Sequence, residues 1–122
     1  MIEHEWATIP GQVPAKSNCY KIIAADGHGS LAKQDALKRY ETAFYWQLPA
    51  TYRNLMIDGP FEIHLRVYFT SRRNDLDNSL KCILDCLQYT KTIRNDNQCA
   101  RIVADKFIDK ENPRIEFRLV EV

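Results

Sequence analysis

The stretch "FEIHLRVYFT" at residues 61–70 constrains the fold more than any other. Phe61, Ile63, Leu65, Val67 and Phe69 alternate with Glu62, His64, Arg66, Tyr68 and Thr70. Successive side chains on a strand point to opposite faces, so this pattern predicts a strand with one face on a core and the other polar. A helical apolar period follows from about 77 to 89, and then strands near 99–107 and 113–121. Strand, helix and strand in succession normally form a right-handed crossover with the two strands parallel. "DKENP" (109–113) has the composition of a turn, which predicts that the last two strands pair as an antiparallel hairpin.

Upstream, residues 2–9 suit a first strand, broken by "PGQVP", and "NCYKIIAA" (18–25) suits a short one closed by "DGHGS". Ser30 stands where it can cap a helix running to about Leu48, with Leu37, Tyr40, Phe44 and Leu48 as its apolar stripe and Pro49 at its end. The expectation is an α+β (mixed α/β) fold: one domain over 1–122, with a small mixed sheet of about five strands, two helices, a β-α-β crossover and a C-terminal β-hairpin.

Length and charge narrow the function. The chain has 122 residues and net charge +1, so any basic footprint for nucleic acid must be local. No apolar run approaches the roughly 20 residues of a membrane span, and "MIEHEWATIP" lacks a signal peptide's apolar region, so a cytoplasmic protein with no membrane partner is expected. Cysteines 19, 82, 86 and 99 form no C-x-x-C pair, and His4, His28 and His64 show no ligand spacing around them. They read as small buried residues rather than zinc ligands or disulfides.

The chemistry concentrates in "RRNDLDNSLKCILD" (72–85). At 100° per residue, Asp77, Lys81 and Asp85 fall within about 80° on the helix, bordering the arc of Leu80, Ile83, Leu84 and Leu87 that must face the sheet. Asp75 lies just before the helix, where its oxygens suit either backbone capping or a cation. An Asp at a helix start is ordinary, worth about 1 kcal/mol or less, and Asp77 with Lys81 is an ordinary i,i+4 pair. A calcium loop is a worse explanation, because Leu80 stands where it needs Gly and Cys86 where it needs Glu. Magnesium wants few carboxylate oxygens and keeps waters for a phosphate and a nucleophile, and Arg72, Arg73 and Lys81 supply the positive charge that phosphodiester hydrolysis needs. Composition alone leaves cap and metal site both open.

These residues resemble the signature of the RusA family of Holliday junction resolvases, magnesium-dependent endonucleases common in bacteria and prophages. That signature is a basic pair, D-x-D-N, a lysine, a further aspartate and a later acidic pair. Here it reads Arg72, Arg73, Asp75, Asp77, Asn78, Lys81, Asp85 and "RND" at 94–96. "ARIVADK" and "PRIEFRLVEV" are similar to the family's closing strands, and Ser17, Asn18 and Tyr20 to its proline-rich N-terminal loop. The resemblance implies that Asp75, Asp77 and Asp96 are catalytic carboxylates binding Mg2+, with Mn2+ as a substitute. Lys81 would act at the scissile phosphate or leaving group. Asn78, Asp85 and Asn95 would stand behind them, Asn95 replacing the first member of the acidic pair.

Asp75 and Asp77 belong at the start of a helix about 20 Å long, whereas Asp96 follows its far end. Either "TKTIRNDNQ" (90–98) folds back along the helix, or Asp96 comes from a partner chain. The expectation is a two-fold homodimer with two shared sites, which suits a four-way junction cut on two equivalent strands. Arg72, Arg73, Lys91, Arg94 and Arg101 are the candidate DNA contacts. His64 and Arg66, on the polar face of their strand, are placed to lie under the DNA. Two alternatives stand beside this: a nuclease for other branched DNA, and a non-catalytic dimeric DNA-binding module.

Overall fold

The computed structural model describes residues 1–14, 20–25, 28–33 and 35–122. Strands β1 (Ile2–Glu3), β2 (Ala7–Pro10), β3 (Tyr20–Ala25) and β4 (His28–Lys33) precede helix α1 (Asp35–Gln47). Strand β5 (Phe61–Phe69), helix α2 (Leu76–Tyr89), a 3-10 turn (Asp96–Gln98), β6 (Cys99–Ile108) and β7 (Arg114–Glu121) complete the chain. The main sheet is mixed and five-stranded, in the order β1-β7-β5-β6, with β2 also on β7.

β5 runs through the centre of this sheet, and its alternation decides the layering. Phe61, Ile63, Leu65, Val67 and Phe69 are all buried. They join Ile115, Phe117 and Leu119 of β7, Leu37, Tyr40 and Phe44 of α1 and Cys82, Ile83, Cys86 and Leu87 of α2 in one core. Each large apolar side chain taken from water there contributes about 1.5–3 kcal/mol. Truncating Phe117 or Leu65 to Ala therefore costs about 2–5 kcal/mol. Cys82 and Cys86 are buried and Cys99 is half-buried, while Cys19 lies outside the described residues.

The crossover is present: β5 and β6 are parallel, with Ile63 opposite Ile102 and Phe69 opposite Ile108. The C-terminal hairpin is not. β7 pairs antiparallel with β5, Leu65 opposite Phe117, so β5 lies between the last two strands. The physical reason is burial. β7 carries strict apolar alternation and fills a central position, whereas β6 bears Arg101, Asp105 and Lys106 among mostly exposed positions and suits an edge. The 109–113 connection crosses the end of β5, where Asp109 N–H donates to the Phe69 carbonyl at 2.8 Å.

The N-terminal expectations need two corrections. Residues 2–9 form two short strands on β7 rather than one. Ser30 does not cap a helix: it lies in β4, opposite Ile23, and α1 begins at Asp35. The register of this strand pair ends with Ala25 opposite His28. Residues 18 and 19 of the expected second strand lie outside the described residues. The apolar stripe of α1 is as expected, with Leu37, Tyr40 and Phe44 buried and Leu48 buried just past its end.

Candidate active site

After β5 the chain turns tightly. Ser71 accepts Arg73 N–H on its hydroxyl at 3.2 Å and Asn74 N–H on its carbonyl at 3.4 Å. Lys106 on β6 donates to the Arg72 carbonyl at 2.9 Å, pinning the turn to the sheet edge while the Arg72 and Arg73 side chains stay exposed.

Asp75 then occupies the N-cap position of α2 in extended backbone (φ −98°, ψ 131°), yet its side chain makes no capping hydrogen bond. Its Oδ2 accepts instead from the Asn78 amide at 3.2 Å. Asp77 lies exposed in the first turn. Favourable interaction with the helix dipole remains open to both carboxylates, but the capping account does not hold for Asp75.

One turn further on, Lys81 Nζ donates to Asp85 Oδ1 at 3.0 Å and to Asp96 Oδ2 at 3.4 Å. Burial, and secondarily the negative charge of Asp96, push the Asp85 carboxyl up to about 6. The Lys81 ammonium opposes that rise, but half exposed to solvent it is screened and does not cancel it.

Asp96 reaches this place because 90–98 does fold back. Thr90 N–H closes the helix on the Cys86 carbonyl, and Lys91 adopts a left-handed φ of 59°. The chain then runs beside 54–57: Met56 N–H bonds the Lys91 carbonyl, Ile57 N–H the Thr92 carbonyl and Arg94 N–H the Ile57 carbonyl, each at 2.9 Å. Gln88 Oε1 accepts Asp96 N–H at 3.1 Å, tying the loop to the helix. Asn95 Oδ1 accepts Asn97 N–H at 3.0 Å, so this residue caps the 3-10 turn.

The structure thus unites Lys81, Asp85 and Asp96, and separately Asp75 and Asn78. Among the described residues, no group of three or more His, Cys, Asp or Glu side chains in one chain is close enough to hold a metal. Of the candidate DNA contacts, Arg72, Arg73 and Lys91 are exposed, whereas Arg94 pairs with Asp58 at 2.8 Å and Arg101 lies 3.9 Å from Glu62. His64 sits 3.3 Å from Glu62, and Arg66 stacks on Trp6 within 3.5 Å of Glu116. Arg66, Arg94 and Arg101 each have a carboxylate beside them and so add little net positive charge. Ser17 and Asn18 lie outside the described residues.

The family model for Endodeoxyribonuclease RusA matches residues 10–120, from the last residue of β2 to Val120 in β7. The chain belongs to the RusA family. It is therefore an endodeoxyribonuclease whose substrate is DNA. A relative, the crossover junction endodeoxyribonuclease RusA of Aquifex aeolicus (strain VF5), is 29% identical over 96 residues, covering 78% of this chain and 74% of the relative. The family match takes in the whole 72–96 block and both closing strands. Among the described residues, no helix is long and apolar enough to cross a membrane.

Sequence reading missed two residues that build this site. Gln88 offered a weak signal, being one turn past Asp85 on the helix, and Lys106 offered none, since a lone lysine on an edge strand looks like solvated charge.

Proposed function

We propose that the chain resolves Holliday junctions by paired, symmetric, Mg2+-dependent nicks, acting in the cytoplasm in recombination and repair, with Mn2+ able to replace Mg2+. The observation that carries this reading is the state of Asp75: placed to cap a helix, it keeps its carboxylate off the backbone, with exposed Asp77 beside it. Magnesium is commonly held by one or two carboxylates together with waters and substrate phosphate, and this pair offers hard oxygen donors of that kind. When bound there, the ion supplies a Lewis acid for the phosphate oxygens and a more acidic water. Arg72, Arg73, Lys91 and Arg94 bind flanking phosphates, and Lys81 approaches the scissile phosphate or leaving oxygen.

In this proposal the working form is a homodimer. Each site takes Asp75 and Asp77 from one chain and is completed by the partner's Asp96, although 90–98 folds back and sets each chain's own Asp96 beside its Lys81. A four-way junction has two equivalent strands, and a two-fold dimer presents two equivalent sites to them.

The direct test is cleavage of a four-way junction in Mg2+, beside a flap and a linear duplex, with wild type and Asp77→Asn. Paired nicks in the junction by wild type, and none by a folded, junction-binding Asp77→Asn, are expected. A linear duplex cut as fast as the junction would defeat the junction assignment. A fully active Asp77→Asn would leave a DNA-binding module without this catalytic site. Mixing Asp77→Asn chains with Asp96→Asn chains should restore one intact site per dimer, and no recovery would defeat the sharing.

A further inference from the structure

We propose that Asp85 is a positioning residue: it fixes the Lys81 ammonium beside Asp96 and retains it there when the Asp96 carboxylate engages a metal. This rests on the reading of Asp75, Asp77, Lys81 and Asp96 as the nuclease site.

Asp85 is poorly placed for a residue that merely stabilises a helix. Its side chain is only 14% exposed, so its charge is largely removed from water, at a cost that only good pairing offsets. Lys81 precedes Asp85 by four residues, which is the less favourable order for an i,i+4 pair. The second carboxylate, Asp96, is also close enough to raise the proton affinity of Asp85. These terms disfavour a carboxylate here, and the 3.0 Å bond to Lys81 is a contact that stands against them. A local choice that opposes the fold in several ways at once is expected where function requires it.

The chemistry explains the requirement. Lysine is a point charge on a flexible stem of four carbons, and holding it in one place costs rotamer entropy. Lys81 is half exposed, and without metal it leans on two carboxylates. If Asp96 turned to a cation, Lys81 would be repelled by that cation and released to solvent unless another anion held it. Asp85, one turn along the same helix row and largely buried, cannot follow Asp96 and so anchors the ammonium.

The test is a double-mutant cycle on single-turnover junction cleavage. Asp85→Asn should lower the cleavage rate about 10- to 100-fold, the usual loss when an outer-shell partner is removed, with junction affinity little changed. In a Lys81→Met background it should cost almost nothing more, because the ammonium it positions is gone. In metal-free protein, NMR relaxation at Lys81 Cε should report faster motion in Asp85→Asn than in wild type. An equal rate loss in both backgrounds, or an unchanged rate and unchanged Lys81 motion in Asp85→Asn, would overturn the proposal. If Asp85→Asn does not fold, Asp85→Ser is read by the same criteria. A fully active Asp77→Asn in the parallel assay would instead remove the nuclease-site reading beneath it.

Discussion

Among the described residues, two sit at helix N-cap positions in extended backbone, and they behave in opposite ways. Asn95 uses its side-chain oxygen as caps do, accepting the N–H two residues on. Asp75, with capping chemistry just as good, makes no such bond and meets only the Asn78 amide. The difference separates a side chain that serves the fold from one whose oxygens remain available to something outside it. It also accounts for the neutral residue in "RND": a cap needs an acceptor oxygen and no charge, and Asn and Asp are about equal there.

The largest effect expected from this contrast is at Asp75. Asp75→Asn should slow junction cleavage by about a thousandfold or more, since it removes a charged donor to the ion that organises the phosphate. Because no cap is lost, thermal unfolding should place its stability within about 0.5 kcal/mol of wild type, as for an ordinary surface change. A large drop in stability would show that Asp75 serves the fold after all, and would erase the contrast.

Asp85 sharpens it through pH. Its folded-state pKa of about 6 lies above the ordinary 3.8, so folding favours the protonated carboxyl. That contribution is complete below about pH 4 and is lost as pH rises through about 6. Asp85→Asn should therefore be more stable than wild type at neutral pH, by about 1–3 kcal/mol at most, with the gap closing on acidification. Denaturant unfolding of the metal-free proteins at several pH values measures it, and a constant gap would refute the assignment.

Lys91 gives a smaller effect of the same kind. It follows α2 with φ 59°, where glycine is the usual residue. Lys91→Gly should raise stability by about 1 kcal/mol through relief of that backbone strain. The same change should weaken junction binding and lower the salt dependence of binding by about one counterion, measured by titration at several salt concentrations.

What could be read from the chain without coordinates follows from how local each signal is. The alternation at 61–69 and the helical period of α2 each report which face meets the core, so the crossover and the carboxylates at its first turn were legible. Strand order was not. Whether β7 lies beside β6 or beside β5 depends on which strand fills the centre of the sheet, and no short window carries that comparison. Ser30 misleads because a serine before an apolar stripe reads as a cap even where it lies in a strand. The return of Asp96 to Lys81 was seen only as one of two routes. The parallel bridge between Ile57 and Ile93, which helps fix that return, joins residues far apart in sequence with no shared pattern, and the Gln88 amide that holds Asp96 N–H carries only a weak signal.

Asn95 carries the smallest effect and the closest control. Asn95→Ala deletes the acceptor for Asn97 N–H and should cost about 0.5–1 kcal/mol, the lower range for a lost cap because the turn is short and exposed. Asn95→Asp keeps the acceptor and should leave stability unchanged to within a few tenths of a kcal/mol. It also adds a negative charge next to Asp96, so it separates two roles that the family's acidic pair combines. If stability alone distinguishes the three proteins, position 95 shapes the turn that presents Asp96. If Asn95→Asp also raises the cleavage rate at limiting Mg2+, the lost charge had a part in holding the ion, and the contrast between the two caps would be one of degree.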